Sequence, residues 1–175
     1  MHMHSPRLAP LVLVSGLLLA AGSLSMVPAS AQQPREGKAT VAPAAALPEV
    51  HVHKDANCGC CNVWVEHLRE AGFKVRVTDS PDMGAVKQRV GVPYGKGSCH
   101  TAEVGGYFVE GHVPAADIKR LLAQRPAARG LVLPGMPLGS PGMEVPSGVV
   151  QPYTVELVDK DGSTREWSRH GPPAK

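Results

Sequence analysis

The segment EVHVHKDANCGCCNVWVEHLREAG, Glu49 to Gly72, changes its hydrophobic period halfway along, and three cysteines stand at the change. EVHVH alternates as a strand does. From Asn62 to Ala71, Trp64, Val65 and Leu68 recur at helical spacing, and Gly72 ends the pattern as a C-cap glycine. Cys58, Cys60 and Cys61 therefore sit where a strand leads into a helix. Unpaired backbone N–H groups and the positive end of the helix dipole favour thiolate there.

The alternation continues downstream. FKVRVTD, Phe73 to Asp79, has period two and reads as a strand. Ser80 as N-cap, Pro81 at the first helical position and Asp82 in the first turn predict a helix over Met83 to Val90. TAEV and YFVEG flank Gly105-Gly106, a two-residue hairpin turn. Pro114 to Arg125 carries Ile118, Leu121 and Leu122 on one helical face. The predicted order is β-α-β-α-β-β-α, the order of an α/β, thioredoxin-like fold, with the cysteine cluster at that fold's active-site position. Cys99, the fourth cysteine, enters the third strand, which such a fold lays against the start of the first helix. The four sulfurs are thus expected to converge, with Cys99 at about 2 to 4 Å, the range of disulfide and shared-ligand distances. Beyond Gly130, a Pro/Gly loop carries Met136 and Met143, and YTVELVDKDGSTREW reads as a second hairpin around Asp161-Gly162. Loop and hairpin are expected to form an appended flap over the same domain.

The remainder of the chain sets the address. Residues 1–31 have the layout of a cleavable signal peptide: Arg7, an apolar run from Leu8 to Val27, then Ala29-Ser30-Ala31. Residues 32–48 are Pro- and Ala-rich without periodicity, a flexible linker. The single domain is expected over 49–168, with a tail over 169–175. The formal net charge is +3, with both signs interspersed. No basic stripe interleaved with aromatics is present, which argues against nucleic acid as a partner. The mature form is expected to be exported and not membrane-embedded.

Sulfur count bears on the chemistry. Cys58 and Cys61 form a C-x-x-C pair, and a thiol–disulfide oxidoreductase needs nothing more. Cys60 is surplus to such an enzyme, whereas a soft-metal site gains from each added thiolate. The compressed Cys58-Gly59-Cys60-Cys61 is a poor match to the paired turns of structural zinc, and an iron–sulfur cluster suits an oxidising exterior badly. Cu(I) remains, with His100 as an imidazole donor, Met136 and Met143 as thioether donors, and room for more than one ion. Two structural disulfides compete with this reading. His51 and His53 share one strand face, and whether either binds metal is left open. His67, His112 and His170 read as surface, packing or tail residues, and Trp64 as core.

CGCCNVW, GVPYGKGSCHTAEVGGYFVEGHVPAADIKRLL and LPGMPLGSPGME together resemble the CopG-type copper-resistance family, from about His51 to Val145. The resemblance implies a periplasmic, thioredoxin-like, copper-binding protein of copper detoxification, with a copper redox enzyme among the family's readings. It maps metal-site roles onto Cys58, Cys60 and Cys61, onto Cys99 and His100, and onto Met136 and Met143. The histidine-rich HVHKDAN departs from the pattern expected before the motif. Implied partners are copper ions and a periplasmic redox or copper-handling protein.

Overall fold

The computed structural model describes residues 46–173. The expected signal peptide and most of the expected linker lie outside the described residues. The elements are β1 (Val50–Lys54), α1 (Gly59–Glu70), β2 (Val75–Asp79), α2 (Met83–Val90), β3 (His100–Val104), β4 (Tyr107–Glu110), α3 (Ala115–Gln124), β5 (Ala128–Val132), β6 (Tyr153–Asp159) and β7 (Thr164–His170). The first seven follow the predicted order, and the class is mixed α/β. All seven strands join one sheet, ordered β2-β1-β3-β4-β5-β6-β7. β1 runs parallel to β2 and antiparallel to β3; β4 is antiparallel to β3 and parallel to β5.

Strand alternation sorts the side chains between two faces. Val50 and Val52 of β1, Ala102 and Val104 of β3, and Tyr107 and Val109 of β4 pack with Trp64, Val65 and Leu68 of α1 and with Ile118 and Leu121 of α3. On the other face Phe108, Val132 and Val158 pack with Val90 at the end of α2 and Val92 just beyond it. This division leaves His51, His53, Thr101, Glu103 and Glu110 on the α2 face.

Four expectations are corrected. The supposed loop beginning at Gly130 starts inside β5, whose Leu131 and Val132 are fully buried. Gly130 marks a close approach here, because a Cβ at this position would collide with the backbone carbonyl of Phe108. The second hairpin is no flap: β6 pairs with β5 and extends the same sheet, with β7 at its edge. In α2, Asp82 replaces Ser80 as N-cap, its Oδ1 accepting the Ala85 N–H at 2.9 Å. β7 also runs through His170, which stacks on Tyr153 and meets Asp117 Oδ2 at 2.7 Å.

Candidate metal centre

Helix α1 begins at Gly59, three positions earlier than its apolar pattern indicates, so the cysteines occupy its cap and first turn. Cys58 is the N-cap and makes no side-chain capping bond. The loop before it is tied down locally. Asp55 Oδ1 accepts the Asn57 N–H at 2.8 Å, and Asp55 O accepts the Cys58 N–H at 3.0 Å. Buried Lys54 donates to Asp55 O and pairs with Asp79 across β1 and β2. The sulfurs thus gather on a braced loop in front of free helix N–H groups.

Cys58 and Cys61 form a disulfide with a Cα separation of 5.4 Å, while Cys60 and Cys99 are free thiols. Cys60 Sγ lies 3.6 Å from Cys58 Sγ and 4.0 Å from Cys99 Sγ. All four sulfurs fall within 4.8 Å of one another. The expected three-plus-one convergence is present. The alternative of two structural disulfides is met for one pair only.

Cys99 approaches from the hairpin side with two histidines. His112 Nδ1–H donates to Pro141 O at 2.8 Å, which leaves Nε2 as an acceptor facing Cys99 Sγ at 3.1 Å. His100 Nδ1 lies 3.5 Å from the same sulfur. Both imidazoles are fully buried, and the His100 ring packs on Trp64 at 4.2 Å between centroids. Trp64 is itself anchored by a 2.9 Å bond from Nε1–H to Val113 O. Nε2 of His100 is buried without a hydrogen-bond partner among the described residues. A buried, unpaired imidazole nitrogen is costly, and it is Nδ1, not Nε2, that faces Cys99.

Burial controls the protonation of this group. It pushes the Cys99 thiol up to about 11, with Cys60 adding to the effect. It holds His100 down to about 3, assisted by His112 and Lys87, and it lowers His112 as well. Around neutrality the cluster therefore presents a protonated Cys99 and neutral imidazoles.

The β3–β4 hairpin also carries a buried carboxylate. Glu110 Oε1 accepts from Lys87 Nζ at 2.6 Å and from the Ser98 N–H at 2.5 Å, and Oε2 accepts from Thr101 at 2.6 Å. Ser98 directly precedes Cys99, so Glu110 holds the backbone that presents the fourth sulfur. On the opposite side, the loop between β5 and β6 covers the site. Gly142, at φ +84°, packs so closely that a Cβ would stand 2.9 Å from both Cys60 O and Trp64 N. Met143 follows directly and is partly buried, whereas Met136 is half exposed.

The structure thus brings Cys58, Cys60, Cys61 and Cys99 together and sets His100 beside Cys99, while Met143 directly follows the Gly142 turn that packs on Cys60. It gathers His51 and His53 with Glu103 instead. His67 has a packing role, accepting the Ala115 N–H at the start of α3. Sequence reasoning missed His112 and Glu110. The signal was the Gly105-Gly106 turn: counting outwards from the Val104–Tyr107 pair sets Thr101 opposite Glu110 and Cys99 opposite His112.

Among known proteins, the family described as "Protein of unknown function, DUF411" matches residues 96–143. No curated protein sequence matches the chain. Two solved structures, titled "Copper resistance protein copG", Form 1 and Form 2, are each 47% identical to the chain, with a TM-score of 0.68. The alignments cover 72% and 71% of this chain respectively, and 99% of each of those chains. Identity at this level over 99% of each of those chains makes this chain a member of the CopG family of copper resistance proteins.

Proposed function

We propose that the protein is exported to the periplasm, binds Cu(I) through Cys58, Cys60, Cys61 and Cys99, and contributes to copper resistance by sequestering or redox-handling the ion. The observation that carries this reading is the four sulfurs within 4.8 Å of one another, two more than a dithiol enzyme uses. Soft thiolates select Cu(I), and thiolates can bridge two ions, so more than one copper per chain fits the same cluster. His100 and His112 supply nitrogen donors, and Met143 and Met136 thioethers from the covering loop. The β2-β1-β3-β4 order, with α1 and α3 on one face and α2 on the other, supports reading the core as thioredoxin-like.

In the structure the Cys58–Cys61 pair is closed. An external dithiol reductant that supplies two electrons and two protons, itself closing to a disulfide, opens it to a dithiol; each Cu(I) that then binds displaces thiol protons, and reoxidation by an external disulfide withdraws two ligands from the metal. Copper affinity and thiol redox state are linked through this pair.

A second reading, a thiol–disulfide oxidoreductase using Cys58 and Cys61, draws on the same disulfide at a helix N-terminus. Cu(I) titration of the reduced, anaerobic protein separates the two. Copper binding requires Cys60, so Cys60→Ser lowers the Cu(I) bound. Full copper binding by Cys60→Ser, with disulfide exchange abolished in Cys58→Ser and Cys61→Ser, would establish the oxidoreductase instead.

A further inference from the structure

A second group of metal-capable side chains lies on the α2 face of the sheet. His51 and His53 stand two residues apart on β1, so their rings share one face and pack at 4.0 Å between centroids. Glu103 of β3 is the register partner of His51. One donor atom from each of the three residues falls within 4.8 Å of the others.

The hydrogen bonds define which nitrogens are available. Arg76 Nη1 lies 3.0 Å from His51 Nε2, and a guanidinium has only donors, so this nitrogen bears a lone pair. Thr78 Oγ1 meets the same nitrogen at 2.8 Å. His53 Nε2 lies 3.1 Å from Glu103 Oε1; a carboxylate only accepts, so a single proton fills that gap. An ion with bonds of about 2.0 to 2.2 Å to nitrogen and oxygen separates neighbouring ligands by about 2.9 to 3.4 Å. The spacing that now holds a proton is the spacing that holds a metal. His53 need only move its proton to Nδ1.

We propose that His51, His53 and Glu103 form a metal site separate from the sulfur cluster, for a divalent ion of borderline softness and for Cu(II) above the others. Two imidazoles and a carboxylate suit Cu(II), Zn(II) and Ni(II), and the order of stabilities among first-row divalent ions places Cu(II) highest. Cu(I) belongs with the sulfurs, so the two sites divide the oxidation states of one element between them.

Arg89 competes with an ion for the Glu103 carboxylate. Its guanidinium binds Glu103 at 2.8 and 3.1 Å through both nitrogens, but its side chain is half exposed. Exposed pairs of this kind contribute little net stability. A cavity of about 360 Å³, lined by Glu49, Arg89, Glu103, Tyr107 and Arg129, opens beside the carboxylate and gives the arginine room to move aside. Arg89 is thus a competitor that metal displaces.

The test uses protein purified from an exporting host, with its cysteines reduced and alkylated so that no thiolate donor remains. Cu(II) and Zn(II) are titrated by calorimetry, and bound Cu(II) is examined by electron paramagnetic resonance. One equivalent of Cu(II) with nitrogen hyperfine structure is expected to disappear in H51A/H53A and to persist in H100A/H112A. R89M keeps all three ligands and removes the cation that competes for Glu103, leaving Arg76 on His51 Nε2, so its Cu(II) affinity is expected to rise a few-fold. Equal Cu(II) stoichiometry in wild type and H51A/H53A overturns the proposal. So does an R89M affinity no higher than that of wild type, which holds even if the histidine variants fold poorly.

Discussion

Cys99 Sγ and His112 Nε2 stand 3.1 Å apart at opposite positions of the extended β3–β4 hairpin, and this pair joins the sulfur cluster to a buried imidazole. Because His112 Nδ1–H is committed to Pro141 O, its Nε2 accepts from the Cys99 thiol. The contact is made by a protonated sulfur and a neutral ring.

Alkylation of Cys99 follows from that state. Its thiol titrates at about 11 through burial and the neighbouring Cys60, so thiolate is scarce at neutral pH. With the Cys58–Cys61 disulfide intact, the logarithm of the Cys99 alkylation rate is expected to rise with unit slope from pH 7 to about pH 11. Peptide mass spectrometry after timed quenching checks it; a plateau near pH 8 refutes the buried thiol. The raised value also favours the folded state below the ordinary thiol range, and that contribution is lost as pH climbs through about 11.

His100 produces the opposite dependence. Its folded value, about 3, lies below the 6.5 of the unfolded chain, so unfolding takes up a proton between these limits. Stability is complete above pH 6.5 and falls as pH drops, by at most about 1.4 kcal/mol per pH unit from this one group. Urea unfolding between pH 6.5 and 5, above most carboxylate titrations, should show the slope. His100→Phe should reduce it, leaving the share of the other lowered histidines, His112 among them.

Glu110 is expected to be a positioning residue for Cys99. Its carboxylate is fully buried and pairs with Lys87, and breaking such a pair from one side costs about 3 to 5 kcal/mol. Glu110→Ala should therefore destabilise the protein by about 3 kcal/mol in denaturant melts. At denaturant-free conditions the surviving folded protein should show altered Cys99 labelling, because the Ser98 N–H has lost its acceptor. Glu110→Gln retains acceptor oxygen and should restore most of the labelling pattern.

Gly142→Ala tests the covering loop. The added methyl meets Cys60 O and Trp64 N at 2.9 Å, and φ +84° disfavours any side chain. A cost of about 1 to 3 kcal/mol is expected from overpacking and backbone strain. Cys60 should alkylate faster as the loop lifts, and weaker Cu(I) binding should accompany it if Met143 ligates the ion. Unchanged Cys60 labelling would show that the loop does not shield the site.

The local elements were legible in the sequence because their signals are carried by neighbouring residues: the switch from period two to helical spacing around Cys58, the Gly105-Gly106 turn, and the apolar face of α3. From these came the order of the first seven elements and the placing of Cys60 and Cys61 at a helix start; the convergence of Cys99 on them followed from the thioredoxin-like arrangement that this order suggests. What required the tertiary structure depends on contacts between distant segments. Gly130 resembles a loop residue until Phe108 lies against it, and the hairpin of β6 and β7 resembles an appendage until β5 offers it an edge. His112 is an ordinary histidine after a strand until hairpin register sets it against Cys99 and burial removes its competing water. Likewise His51 and His53 acquire a carboxylate only through β1–β3 pairing. Periodicity is written residue by residue, whereas a site's donor set is decided by which strands become neighbours and how much water their packing excludes.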